Sequence, residues 1–310
     1  TRIESSAASD VYKRQSFDNI GDREARALLS ESDFYDASVA GNVGKVAFIP
    51  INPGADFLKL ASDGLDNERI SPTGWNEYSR GAEQARMRVE IREMFDVDDQ
   101  IPVSFRFHYF TNNNSREYID YTRGVNWPSE IEAGGNLFPF QTDTLENGRN
   151  ALVVYLNRLV DFLDTIPDAA SSSVNNSIYL YPNPDEATII EPSVPSLETD
   201  LAVTLRGGKD LTAFTTGLSV VTDMRLYIAE SLNDVAATPP VNSNLPAGSE
   251  FFPPLSIFAP EKRFGETGAI NTPVNLRGQL SSLKISETDT FNPLELIGAD
   301  DNRVESNLME

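Results

Sequence analysis

One histidine and no cysteine narrow the chemistry open to this 310-residue chain. Without cysteine there are no disulfides, thiolate metal sites or cysteine nucleophiles. A single imidazole, His108, rules out multi-histidine zinc sites and leaves room for only one Ser-His-Asp triad. His108 lies in Val103-Ser104-Phe105-Arg106-Phe107-His108-Tyr109. Val103, Phe105, Phe107 and Tyr109 alternate there, so a strand would place His108 on the opposite face, as a surface residue. Gly41-Asn42-Val43-Gly44-Lys45 has the Gly-Lys of a phosphate loop, but Val39 and Val46 stand where that loop needs Gly and Ser/Thr, so it reads as a turn before a strand. Neither a G-x-S-x-G elbow nor a G-x-G-x-x-G run occurs. Asp96-Val97-Asp98-Asp99 and Asp300-Asp301 lack the spacing that places oxygens around calcium and read as solvated acidic turns. Trp75 and Trp127, with Tyr78, Tyr118 and Tyr121, are types that stack on sugars or bases, although such residues more often close loops over a core. Carboxylate pairs for glycoside hydrolysis are defined by separation in space, which sequence does not give. The sequence therefore assigns no catalytic, cofactor-binding or metal-binding residue and implies no cofactor, and an enzyme is the less favoured class.

The elements around these residues are mostly short strands. Asp22 to Ser30 has a helical composition, with acidic residues in its first turn. Gly44 to Ile51 reads as a strand ended by Asn52-Pro53-Gly54. Ala85 to Phe95 has a helical lead-in but alternates Met87, Val89 and Ile91 with Arg86, Arg88, Glu90 and Arg92, which favours a strand. Val103 to Tyr109 is the clearest strand and is followed by an Asn112-Asn113-Asn114-Ser115 turn. Asn150 to Leu163 is ambiguous: Leu152, Val153, Leu156, Leu159, Val160 and Leu163 form a helical stripe, whereas residues 151–156 are mostly β-favouring. Val174 to Tyr181, Asp200 to Arg206 and Ser219 to Ala229 read as strands, the last as one or a pair, and Thr272 to Ile285 offers one or two more. Strands separated by Pro/Gly/Asn turns predict a mainly β protein, a jelly-roll-like β-sandwich with one or two short helices; α+β is the alternative. The expected organisation is an N-terminal arm or helix over 16–40, a β-sandwich domain over 41–196, and a second β-rich segment over 197–310 with a Pro-rich linker at 236–260.

With 47 acidic against 25 basic residues, the chain carries a formal charge of −22. That balance argues against direct nucleic-acid binding and against docking on anionic lipid. No apolar run reaches the roughly 18 residues of a membrane helix.

Two resemblances add expectations. Residues 1–15 resemble translated Nextera transposase adapter, carried by Ser5-Ser6-Ala7-Ala8-Ser9-Asp10-Val11-Tyr12-Lys13-Arg14-Gln15, which implies an artefact of sequencing and a biological chain that enters near Ser16. Gly148 to Ser193 resembles the last strands of a picornavirus-like capsid jelly roll of the marine RNA virus type. The resemblance rests on Gly148, Leu152 to Leu159, the Ala169-Ala170-Ser171-Ser172-Ser173 loop, Val174 to Tyr181, and the exit Asp185-Glu186-Ala187-Thr188-Ile189-Ile190-Glu191-Pro192. It implies a virion structural (capsid) protein that self-associates or contacts sister subunits through large interfaces, located in the virion or outside cells. The alternatives are a non-viral β-rich surface-layer or glycan/calcium-binding module and, after that, a carbohydrate-active enzyme. Tyr181-Pro182-Asn183-Pro184 is similar to the opening of bacterial C-terminal sorting domains, but its position in the chain makes that a coincidence.

Overall fold

The computed structural model describes residues 81–264, with gaps at 96–99, 129–137, 146–147, 184–185, 194–195, 198, 241–247 and 249, together with Leu58, Leu60, 274–281 and 304–306. The adapter-like segment, the 16–40 arm, the 44–51 strand, the 41–45 turn, Trp75, Tyr78 and both acidic turns lie outside the described residues.

After a single helical turn, α1 (Gly81–Gln84), the chain forms three antiparallel strands, β1 (Met87–Met94), β2 (Pro102–Phe110) and β3 (Arg116–Thr122). Asn114, with φ of 60°, makes the tight β2–β3 turn that its short polar side chain tolerates. β4 (Phe140–Thr144) then pairs antiparallel with β5 (Asn150–Tyr155) and starts a second sheet.

From β5 onward the chain passes back and forth between the two sheets. β5, β7 (Ala202–Arg206), β9 (Leu226–Ile228) and β11 (Lys262–Phe264) stack in parallel in the second sheet. β6 (Ser177–Pro182), β8 (Leu218–Thr222), β10 (Leu255–Phe258) and β13 (Gln279–Ser281) stack in parallel in the first. β6 also pairs in parallel with β1, which gives a seven-stranded sheet, β13-β10-β8-β6-β1-β2-β3, facing a five-stranded one, β11-β9-β7-β5-β4. β12 (Val274–Leu276) pairs with β14 (Val304–Ser306) in a separate ladder.

This is the mainly β, two-sheet sandwich with two short helices that the sequence predicts. Its winding is different from that of a jelly roll. A jelly roll is built from two antiparallel Greek keys, whereas here most neighbours are parallel and strand order follows chain order, coil upon coil. Local patterning cannot distinguish the two, because both turn alternate residues of each strand toward the space between the sheets.

The core lies between the sheets, where cross-strand register lines up the apolar residues. Ile257, Val220, Ile178 and Met87 form one row of the larger sheet, and Leu180, Val89 and Phe107 belong to another. Leu226, Val203 and Leu152 face them from the smaller sheet, above Ile228, Leu205, Val154 and Phe140. All of these side chains are buried in one cluster, each contributing about 1.5–3 kcal/mol. Leu156 and Leu232 come together at one corner beside Gly208, where a Cβ would come within 2.0 Å of Leu232 Cδ2 and would force that side chain to shift. Among the described residues, no helix is long and apolar enough to cross a membrane.

Three sequence expectations need correction. The ambiguous 150–163 segment is both things in turn: β5 runs through Tyr155, a 3-10 turn follows at Leu156–Arg158, and α2 spans Leu159–Thr165. β-branched Val153 and Val154 hold the strand, and Leu159, Phe162 and Leu163 bury the helix's inner face. The expected boundary between 196 and 197 falls inside the sandwich, because β7 hydrogen-bonds to β5 and β8 to β6. The Pro-rich 236–260 segment is not linker throughout: Leu255 and Ile257 alternate into the core and make β10 an interior strand.

Candidate functional site

The outer face of the seven-stranded sheet has two halves. On β6, β8 and β10, Tyr179, Tyr181, Val221 and Phe258 pack with Leu58, Leu60, Ala82 and Ala85. The two tyrosine rings stack with centroids 4.5 Å apart. On β1, β2 and β3 the same face is charged. Strand alternation turns Arg88, Glu90 and Arg92 outward, and register places Glu90 opposite Arg106, Arg106 opposite Asp120, and Arg88 opposite His108. A row of −, + and − therefore crosses three strands.

These groups are held in place. Arg106 donates from Nε and Nη2 to the two Asp120 oxygens at 2.7 and 2.9 Å, and its guanidinium carbon lies 3.8 Å from the centroid of the Tyr118 ring. Glu90 accepts from Asn183 Nδ2 at 2.8 Å and sits 3.0 Å from His108 Nε2. Arg92 bridges Glu90, at 3.5 Å, and Glu186. Burial pushes the His108 imidazole below its ordinary pKa and outweighs the pull of Glu90. Burial works to raise the Glu90 pKa, but hydrogen bonds from His108 and Asn183 and the Arg92 charge hold it below the usual value. The two directions fit a neutral imidazole donating from Nε2 to a charged carboxylate. Asp120 is held low mainly by Arg106.

A second charged array follows a corner of the coils. Arg149 immediately precedes β5, Arg225 precedes β9, Glu261 precedes β11, and Asp200 stands just before β7. Parallel stacking sets Arg225 level with Glu261, and Arg149 level with Asp200 two residues away, so that two opposite-charge rows share one corner. Arg225 pairs through Nε with Glu261, whose side chain is 1% exposed, and Arg263 approaches the same carboxylate at 3.4 Å. The ladder clamps the β6–β7 connection. Ser196 N donates to Glu261 Oε1 at 2.5 Å, Arg225 Nη2 donates to Ser196 O at 2.8 Å, and Arg149 Nη1 donates to Ser196 Oγ at 2.8 Å. Asp200 Oδ2 accepts from the Ser193 and Leu197 amides, both at 2.9 Å. Beside it, Lys262 is fully buried; burial lowers its pKa to about 7, and Nζ donates to Ala259 O at 2.8 Å.

The structure places the sequence candidates as follows. His108 is on the face opposite Phe105 and Phe107, but it is part-buried against Glu90 and is not a free surface group. No serine hydroxyl bonds it among the described residues, so the one possible triad is not assembled there. Trp127 is 3% exposed, edge-on to Phe105 at 4.7 Å, and belongs to the core. Tyr121 is likewise buried, whereas Tyr118 is 53% exposed. Among the described residues, no group of three or more His, Asp or Glu is arranged to hold a metal ion. Sequence reasoning did not single out Glu90, Arg106, Asp120, Arg149, Arg225 or Glu261. Their alternation in strands was visible, but their partners lie on other strands, and neither register nor coil order can be read from one sequence. In comparisons with known proteins, the chain matches no family model, no curated protein and no solved structure.

Proposed function

We propose that this chain is a structural subunit, a rigid β block that works by contact with copies of itself or with sister subunits. The virion shell suggested by the 148–193 resemblance is the first setting for that role. The observation that supports it is where the charges go. Carboxylates and guanidiniums form alternating ladders that tie strand to strand and coil to coil, as in Glu90–Arg106–Asp120 and Arg225–Glu261. Groups paired in this way stiffen the block. Tyr118 and Arg106, which stack at its surface, belong to the residue types enriched in protein–protein interfaces.

The parallel coil order removes the jelly-roll topology as an argument for a shell, so the proposal rests on the charge ladders and on the Arg106–Tyr118 surface stack. The test is electron microscopy of the purified chain at high protein concentration in moderate salt, where screening relieves the repulsion between copies with a charge of −22. Regular shells, sheets or rods are expected. Isolated particles under every condition, together with specific retention on a glycan array, would replace this reading with the binding-module one.

A further inference from the structure

Among the described residues, the antiparallel end of the sandwich presents two edge strands, β3 in one sheet and β4 in the other. Edge strands carry unpaired backbone groups that template the addition of another strand. In the β2–β3 ladder, Arg123 N donates to Val103 O at 3.0 Å and Thr111 N to Ser115 O at 2.9 Å. The alternation of antiparallel pairs then turns the backbone groups of Asp120 and Thr122 away from β2, toward the open edge. In the β4–β5 ladder, Tyr155 N donates to Pro139 O and Leu145 N to Arg149 O, both at 2.8 Å, which turns Phe140 and Thr144 outward in the same way.

One turn meets both edges. Asn126 Oδ1 accepts from Thr122 N at 2.9 Å, and Asn126 Nδ2 donates to Asp120 O at 2.8 Å. Its carboxamide stands where the peptide group of an added strand would pair. The next residue, Trp127, donates from Nε1 to Phe140 O at 2.9 Å. Asp143 Oδ1 accepts from Thr144 N at 2.9 Å and caps the far end of β4. The Arg123 guanidinium lies over the Trp127 ring at 5.1 Å, and three amides, of Val125, Asn126 and Trp127, all donate to Thr122 O at 3.1 Å.

We propose that the 123–127 turn is a plug: Asn126 closes the edge of the larger sheet and Trp127 that of the smaller, so that a second copy of the chain cannot add a strand at this end. The occupant that the plug excludes is the β3 strand of another copy. Antiparallel pairing of two β3 strands about Tyr118 would set Arg116 of each opposite Asp120 of the other, an opposite-charge pair made twice by one two-fold axis. Assembly of the native chain therefore does not proceed by strand addition at the β3 and β4 edges.

Asn126 is exposed, so removing its side chain opens no cavity. The test compares Asn126→Ala, Asn126→Ser and Asn126→Asp with wild type by sedimentation velocity over a concentration series. Hydrogen exchange of residues 116–122 is read in parallel. Ala removes both hydrogen bonds, and Ser is too short to span Asp120 O and Thr122 N; both variants are expected to add a species of about twice the wild-type mass, with new protection on β3 that grows with concentration. Asp keeps an acceptor and places a charge on the edge, so it is expected to keep the wild-type mass. The reference is whatever mass wild type shows, so the outcome does not depend on the structural-subunit reading. Wild-type mass and β3 exchange in both Ala and Ser variants, or equal association of the Ala and Asp variants, would overturn the plug.

Discussion

Replacing Glu261 by glutamine tests whether the corner ladder is a structural element. Its carboxylate is 1% exposed and faces Arg225 at 13% and Arg263 at 9% exposure, so water screens these charges poorly. Removing one member of a buried pair leaves an uncompensated charge and costs about 3–5 kcal/mol. Glutamine keeps one carbonyl oxygen for Arg225 Nε or Ser196 N, which brings the expected loss to about 2–3 kcal/mol. The control is Asp143→Asn, which breaks the exposed Arg206–Asp143 pair, with side chains 24% and 43% exposed, and should cost about 0–1 kcal/mol. Urea unfolding followed by tryptophan fluorescence measures both. Glu261→Gln should lower the midpoint at constant slope and increase proteolysis of the 186–200 connection that Ser196 anchors. Losses from the two variants that agree within about 0.5 kcal/mol would refute the claim that the ladder is desolvated and supports the fold.

The other predictions concern titration and backbone geometry. Lys262 has a folded pKa lowered to about 7, so an unfolded lysine, with a pKa of about 10.4, binds more protons between those values. Stability should therefore rise with pH from about 7 to about 9.5, and Lys262→Met should flatten that rise; parallel urea midpoints for the two proteins would count against it. Above that window Tyr121, raised to about 12, contributes in the opposite sense, because its unfolded form ionises first. His108 and Glu90 are both lowered, so acidification loses stability first below about pH 6.5 and then below about pH 4.3; His108→Gln should remove the first step and shrink the second, because His108 helps hold Glu90 low, in an acid-unfolding titration. Gly217 has φ of +91° and a Cβ there would lie 2.5 Å from Pro254 O, so Gly217→Ala should cost at least about 2 kcal/mol in urea unfolding. Gly148→Ala, at φ of +82° with nothing within 4 Å, should cost only about 1 kcal/mol.

What could be read from the sequence follows the range of each interaction. Alternation along β2 and β7 is local, so their inward faces were visible in the order of Phe105, Phe107 and Tyr109 and of Val203 and Leu205, whereas the burial of Ala202 and Thr204 on the other face of β7 was not. The 150–165 segment was ambiguous because a strand and a helix share one apolar run, which divides at Leu156, where the chain turns with that side chain buried in the core. β10 was hidden in its proline-rich surroundings because its four residues gain their stability from β8 and β13 on either side. The charge ladders were not legible. Arg149 and Glu261 are 112 positions apart in the chain (261 minus 149) and reach the same Ser196 only through the parallel stacking of β5, β7, β9 and β11.

The central claim is that this chain is a self-associating structural block, and its most direct test is the mass of the native protein in solution. Sedimentation velocity across protein concentration, at low and at moderate ionic strength, reads that mass against the 34.2 kDa of one chain. The account predicts a mass above 34.2 kDa that grows with concentration and with added salt, as screening weakens the repulsion between acidic copies. A single 34.2 kDa species at every concentration and salt would contradict it.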